Sequence, residues 1–337
     1  MKIAIHNRSG SFSDYWVKYC QKTGIEYKLV NAYDNDIVEQ IKGYDAFMWH
    51  HHQSNYKDCL FAKQLLYSLQ MAGVKVFPDF NTGWHFDDKV GQKYLLESID
   101  APLVPSYVFY TKEDALKWIE NTTFPKVFKL RGGAGSHNVM LVHTKAEAIR
   151  YTKIAFGKGF SQTNLTHLIS DDWNKYKLGK VTLFYILKDV AAFYLKQNSF
   201  RKMYSREKGY VYFQDFIPDN SFDVRICVVG GRAFAIKRMV RKNDFRASGS
   251  GNLVYNKSEI DERCVKIAFN ICDRLRLQCV GMDFVFDANN NPLIVELGYG
   301  FTAAPYFKCE GFWTSDMKWH DGTDFDFCGW MVETVLK

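Results

Sequence analysis

Apolar and polar positions alternate over residues 2–6, the mark of a short strand, and a polar loop with Gly10 follows. Helical spacing at Trp16, Tyr19 and Cys20 stops at Gly24, and Ile25, Tyr27 and Leu29 return to a period of two. A short helix around Ile37, Val38 and Ile41, a strand at Ala46-Phe47-Met48-Trp49, a long helix over 57–72 ending at Gly73, and a strand from Val74 to Phe77 continue the alternation. Strands alternating with helices over this stretch predict a small parallel α/β unit.

From residue 87 the texture changes. Asp87-Asp88-Lys89 caps a helix running to Ser98, and Thr111 with Asp114 and Thr144 with Glu147 form capping boxes for two more. Strands are expected at Tyr107–Tyr110, Lys126–Leu130 and Asn138–Val142. After Tyr210 strands dominate: Val211–Ile217, Val224–Val229, a Gly230-Gly231 turn, then Ala233–Val240. The Gly-Gly connection is a strong hairpin signal. A helix over Ser258–Leu275 precedes a last hairpin spanning Gly281–Leu297. Residues 157–209 interleave aromatic and apolar positions with lysines; packing against the body of the protein is favoured there over weak contact with a membrane surface.

Composition narrows the function. At 337 residues the chain is long enough for real cores, and 47% hydrophobic with 24% charged residues is ordinary for a globular protein. Aromatics reach 16%, which dense cores explain as well as a wide ligand cleft does. A net charge of +7 from dispersed Lys and Arg lacks the concentrated footprint of a nucleic-acid binder and suits anionic small substrates. The first residues have no signal-peptide core, and no run of about 18 apolar residues exists. Eight cysteines without a CxxC pair point to reduced thiols, so the expected location is the cytoplasm.

The first α/β unit has no GxGxxG. It has polar residues just past strand ends: His6, Asn7 and Arg8 after the first strand, His50, His51 and His52 after the third. In open parallel sheets, ligands bind beyond the carboxyl ends of strands. Adjacent strand residues point to opposite faces, so three consecutive histidines cannot converge on one metal ion. A cleft lining or a plain polar loop is favoured over a metal site.

Four later segments carry candidate chemistry. If the turn of the last hairpin is centred between Asn289 and Asn290, Asp287 pairs with Pro292 and Asp283 lies opposite Glu296. Directly opposed residues share a face about 5 Å apart at Cβ, and two carboxylates there call for a cation between them. Mg²⁺, held by one or two carboxylates plus nucleotide phosphates, is the natural occupant. The strand Lys126–Leu130 delivers Lys129 into the loop Arg131-Gly132-Gly133-Ala134-Gly135-Ser136, whose glycines allow backbone N–H groups close to phosphates. This is not a Walker A sequence. Gln214-Asp215-Phe216-Ile217 is a strand end able to bond a base edge, with Asp223 soon after to take ribose hydroxyls. Arg246, in a loop with Ser248-Gly249-Ser250-Gly251, suits anionic oxygens.

In their order these four segments resemble the ATP-grasp superfamily, nearest to the glutamate ligases that modify ribosomal protein and to relatives found with surface-polysaccharide genes. The resemblance covers about residues 85–305, with 1–84 similar to the family's preceding α/β domain. It implies an N-terminal Rossmann-like α/β domain over 1–85, a small subdomain with the Gly-rich loop over 86–213, and a large subdomain with the Mg site over 214–337. Lys89 and Lys129 would hold phosphates and the adenine edge, Gln214, Asp215, Phe216 and Ile217 the hinge, and Asp223 the ribose of ATP. Asp283 and Glu296 would bind Mg²⁺, and Arg246 with Arg225 would stabilise an acyl phosphate. The implied reaction joins a carboxylate to an amine, an amino acid on a sugar acid of a surface polysaccharide being favoured over a peptide or protein glutamate ligase. An ATP-grasp kinase and an ATP-binding regulatory module are the rivals. Family members read Glu-x-Asn at the second metal strand, whereas this chain has Glu296-Leu297-Gly298.

Overall fold

The computed structural model describes residues 1–337 except 134–137, 162–172, 174–175, 177–181, 189, 192–205 and 242–244. β1 (Lys2–His6) leads into α1 (Phe12–Thr23), which Ser11 caps by accepting from the Ser13 N–H and which Gly24 ends at φ 70°. β2 (Glu26–Val30), α2 (Ile37–Ile41), β3 (Ala46–Trp49), α3 (Tyr56–Met71) and β4 (Lys75–Phe77) follow. Their strands form a parallel sheet in the order β2-β1-β3-β4. β3 is buried at every position, as a central parallel strand must be. α4 (Phe80–Gly83) and α5 (Lys89–Glu97) come next, α5 capped by Asp88, whose carboxylate accepts from the Gly91 N–H at 2.9 Å.

β5 (Ser106–Phe109), α6 (Lys112–Asn121), β6 (Lys126–Lys129), β7 (Val139–Val142), α7 (Lys145–Ala155) and β8 (Val211–Asp215) form a second body. Both expected capping boxes are present: Thr111 takes the Asp114 N–H and Thr144 the Glu147 N–H, each at 3.2 Å. The antiparallel sheet runs β5-β8-β6-β7. Period-two alternation turns Phe128, Val142, Val211 and Phe213 onto Ala115 and Ile119 of α6 and Ala148 of α7.

The remaining strands are β9 (Phe222–Val229), β10 (Arg232–Met239), β11 (Leu253–Val254), β12 (Cys279–Phe286), β13 (Pro292–Gly298), β14 (Gly311–Thr314) and β15 (Trp319–Asp321). They form an antiparallel sheet, β13-β12-β9-β10-β14-β15, with β11 on β10. Gly230 and Gly231, at φ 55° and 78°, make the tight β9–β10 turn, a backbone that side chains with a Cβ rarely adopt. α8 (Glu262–Leu275) lays Cys264, Val265, Ala268 and Ile271 on Val224, Ile226, Met282 and Phe284. Each buried Val, Ile, Met or Phe among them contributes about 1.5–3 kcal/mol relative to exposure. α9 (Phe327–Leu336) closes a core shared by the other sheet face, β1, β3 and α1.

By its contacts the chain forms two compact units, Met1–Val104 with Ile217–Lys337, and Pro105–Phe216. All eight cysteines are free thiols, and only Cys59 is exposed. Among the described residues no helix is long and apolar enough to cross a membrane.

Candidate active site

In the larger unit the site grows out of one alternation. The β9 side chains Cys227 and Val229 face the core beneath α9, and Arg225 and Asp223 continue that same face. On β10 the row reads Phe234, Ile236, Arg238, and on β12 Cys279, Gly281, Asp283. One sheet face therefore passes from apolar to ionic along its strands.

Asp283 pairs in register with Arg225 on β9 and with Glu296 on β13. The Arg225 guanidinium donates Nε to Asp283 Oδ1 at 2.5 Å and Nη2 to Oδ2 at 2.6 Å, the two-point geometry that arginine alone provides. Arg238 donates Nε and Nη2 to the two Asp223 oxygens, each at 2.6 Å, and its Nη2 lies 2.8 Å from Asp283 Oδ2. Lys89, buried at the start of α5, places Nζ 3.3 Å from Glu296 Oε1. Three acids thus meet three bases. Burial would raise the Asp283 carboxyl, but Arg225 and then Arg238 outweigh it and hold it well below the usual carboxylate range. Asp223 goes the other way, pushed up chiefly by burial, with the Asp283 charge adding to it. Asp283 is the firmer anion of the two.

The hairpin register needs one correction. Phe286, not Asp287, pairs with Pro292, because Asp287 leaves the ladder and its Oδ1 accepts from the backbone of Asn289 and Asn291. The Asp283–Glu296 pairing is restored by a bulge that leaves Val295 as an extra residue on β13.

Two hard carboxylates stand at paired positions, the donor type Mg²⁺ takes, but as arranged Asp283 is engaged at both oxygens by Arg225 and Arg238, which leaves Glu296, a third exposed and beside Lys89, as the more available donor. Among the described residues no cluster of three or more His, Cys, Asp or Glu could hold a metal, and Gly298 supplies no side-chain donor. Such a pair suits an ion that arrives with phosphates better than a resident one.

In the smaller unit, β6 and β8 carry a second polar group. Lys129 is buried and donates to Gln214 Oε1 at 2.5 Å, and Gln214 Nε2 donates to Ser106 Oγ at 3.0 Å, which Tyr212 also meets at 2.9 Å. These side chains lie on the face away from α6 and α7. Asp215 turns to the opposite face and pairs with Lys126 at 2.5 Å, beneath Trp118. Phe216 ends this unit and Ile217 begins the next stretch of the larger one. Gly132 and Gly133 follow β6, Gly133 at φ 120°, while Gly135 and Ser136 lie outside the described residues. Arg246 sits in the loop between β10 and β11, its carbonyl accepting from the Arg241 N–H. Asp223, expected on a ribose, has its carboxylate engaged by Arg238.

Sequence reasoning passed over the central place of Arg238, and it did not use Ser106 or Tyr212. A signal for Arg238 existed: a cation two residues after Ile236 on an otherwise apolar strand face.

Residues 191–303 match the model of the RimK-like ATP-grasp domain. No curated protein matches the chain significantly in sequence. The fold is similar to that of a RimK domain ATP-grasp protein from Sphaerobacter thermophilus, at 15% identity and TM-score 0.58, covering all of both chains. It is similar to D-cycloserine synthetase DcsG at 13% identity and TM-score 0.61, over 99% of this chain and 100% of that one. The biotin carboxylase domain of Hydrogenobacter thermophilus 2-oxoglutarate carboxylase, solved with MgADP, matches at 12% identity and TM-score 0.59, over 99% of this chain and 69% of that one. The family match covers residues 191–303 of the chain, and the likeness to these solved structures is one of fold.

Proposed function

We propose that the chain is an ATP-dependent carboxylate–amine ligase that forms an amide through an acyl phosphate. The observation that carries this is the ionic sheet face, where Asp283 and Glu296 stand opposed and arginines and a lysine line the same surface. Mg²⁺ held by Asp283 and Glu296 would neutralise phosphate charge there. Lys89 and Lys129 supply point charges for phosphate oxygens, and the Gln214–Ile217 strand end bonds the adenine edge. Asp223 takes ribose hydroxyls, with Arg238 fixing its orientation. Arg225 and Arg246 meet the oxygens where charge develops during transfer. A carboxylate oxygen of the acid attacks the γ-phosphorus and ADP leaves; the amine nitrogen then attacks the acyl carbon, loses a proton, and phosphate departs. Nothing in this needs a nucleophilic side chain, so the chain's own work is positioning and charge neutralisation.

The pair of substrates that fits best is an amino acid or amine with a sugar acid of a surface polysaccharide, on the resemblance of the four site segments. The RimK-like match favours a second reading, glutamate addition to a peptide or protein. The decisive experiment is phosphate release from Mg·ATP with the purified chain. Release that requires both an acid and an amine supports the ligase; phosphorylation of a hydroxyl without free phosphate would replace it with a kinase, and binding without turnover with a regulatory module.

A further inference from the structure

α3 is apolar on two opposite faces. At about 100° per residue, Ala62, Leu65, Leu66 and Leu69 fall on one side, and that side is buried with Phe47, Trp49 and Val76 of the first sheet. Leu60, Gln64, Tyr67 and Met71 recur at helical spacing on the side facing away from it. Leu60 is 71% exposed, Tyr67 44% and Met71 70%. Phe80 of α4 widens this stripe: it is exposed, and its ring lies 4.8 Å from that of Tyr67 and 6.5 Å from that of Trp84. Scattered exposed apolar residues are ordinary, but this row is continuous. A surface helix is normally polar on its outer face, and one that is apolar all round is covered on both sides.

The chemistry of the stripe narrows what covers it. None of its residues is charged. The one acid of α3, Asp58, is buried on the other face, where it accepts from the Tyr33 hydroxyl at 2.5 Å and the His52 N–H at 2.7 Å. Lys57 stands at the N-terminal rim with Nζ 4.9 Å from the centre of the Tyr33 ring. Lys63 lies to one side and donates to the carbonyls of Trp84 and Phe86 at 2.8 and 2.9 Å. A strongly charged partner finds nothing to pair with along the centre.

We propose that α3 is the contact helix of a homodimer, its outer stripe packed antiparallel on that of a second copy. The spacing of the stripe is symmetric about its midpoint, so a twofold axis there sets Leu60 against the partner's Met71 and Gln64 against the partner's Tyr67. A twofold contact requires this kind of self-complementarity. The first pair is apolar on apolar. In the second, an amide and a phenol can each donate and accept. Antiparallel packing keeps the two Lys57 residues about 25 Å apart along the helices, whereas parallel packing would bring them together. At their exposures Leu60, Tyr67, Met71 and Phe80 present roughly 450 Å² per copy, so two copies bury on the order of 1,000 Å², the lower edge of a specific interface. The dimer is therefore a weak one, with micromolar dissociation.

Sedimentation velocity of the full chain, from about 1 to 200 μM, tests this across the range where such a dimer forms. The expected result is a concentration-dependent shift from monomer to dimer. Leu60→Glu, at an exposed position, should keep the circular dichroism and melting of the wild type and raise the dimer Kd about tenfold or more. Met71→Lys alone should weaken the dimer likewise. The double variant Leu60→Glu with Met71→Lys should recover it, because antiparallel packing sets the introduced opposite charges against each other across the contact. A chain that stays monomeric throughout would overturn the proposal and leave the stripe to a different protein. A dimer unmoved by Leu60→Glu would place the contact elsewhere, and loss without recovery in the double variant would rule out the antiparallel pairing. Either result overturns the proposal too.

Discussion

Asp223 and Asp283 share a guanidinium, for Arg238 reaches both carboxylates from β10 although β12 and β10 are not neighbours in the sheet. Arg225 serves Asp283 from the strand between them. Arg238 is 6% exposed at its side chain and Arg225 25%. Breaking a buried ion pair costs about 3–5 kcal/mol because the stranded charge stays buried. Arg238→Met should lower the urea stability by that order, and by more than Arg225→Met does. An equal or smaller loss for Arg238→Met would show that the shared guanidinium is not the keystone of the ionic face.

The pH dependence of stability follows from the buried histidines: burial lowers His6, His50 and His52 as well as His51 and His85, of which the last two serve as the example. Their folded pKa values, about 3 and about 4, lie below the ordinary histidine value. The unfolded chain therefore takes up protons first as pH falls. Stability is fully present above about pH 6.5 and is lost downward, by about 1.4 kcal/mol per pH unit for each ring. Urea midpoints between pH 7 and 4.5 should fall in the wild type and fall less steeply in His85→Gln. A flat profile would mean that the rings are protonated in the folded chain.

Gly298 and Gly300 lie under the same ring with different clearances. A Cβ on Gly298 would meet Phe86 at 3.5 Å, an ordinary contact, while one on Gly300 would meet it at 2.8 Å. Gly298→Ala should leave the thermal midpoint nearly unchanged, and Gly300→Ala should cost about 1–3 kcal/mol as an overpacked site. Calorimetric melting of the two variants checks the ranking.

Lys129→Met should reduce affinity for a non-hydrolysable ATP analogue about tenfold or more, since a point charge meant for phosphate is lost. Its circular dichroism should stay that of the wild type, because β6 keeps its ladder with β7 and β8. Isothermal titration decides, and unchanged affinity would remove Lys129 from the nucleotide site.

Arg246→Ala should depress turnover far more than nucleotide affinity, by roughly a hundred- to a thousand-fold, if it serves the transferring phosphoryl group. Phosphate release and analogue binding, measured on one preparation, separate this from a loop-holding role. In the latter case the two quantities fall together or neither moves.

Much of the architecture was legible because each element obeys a local rule. Gly24, Gly230 and Gly231 sit where positive φ is needed, Asp88, Thr111 and Thr144 cap the helices they precede, and β3 is apolar throughout because it is buried on both faces. The site was legible only as far as local pairing reaches. Asp283 could be set against Glu296 by counting through a turn, yet the count held only because Val295 bulges where the turn is longer than assumed. Arg238 could not be set against Asp283 at all. That contact depends on β9 lying between β12 and β10, an order fixed by packing on α8 and not by any neighbouring residue. The lowered pKa values of His51 and His85 are likewise a property of burial, which histidine's identity does not announce.

The insertion of residues 105–216 within the larger unit has a consequence for how the chain is made. Ile3, Ile5 and Trp16 pack in one core with Phe327, Trp330 and Met331, and the Tyr19 hydroxyl donates to Glu333 at 2.9 Å. During synthesis the first sheet, complete at Phe77, leaves the ribosome 250 residues (327 − 77) before the start of the helix that covers it. The inserted unit, compact by its internal contacts, can fold in that interval. The N-terminal sheet must wait with an apolar face uncovered, so release of the last helix, not of the first strand, sets when this protein becomes safe from aggregation.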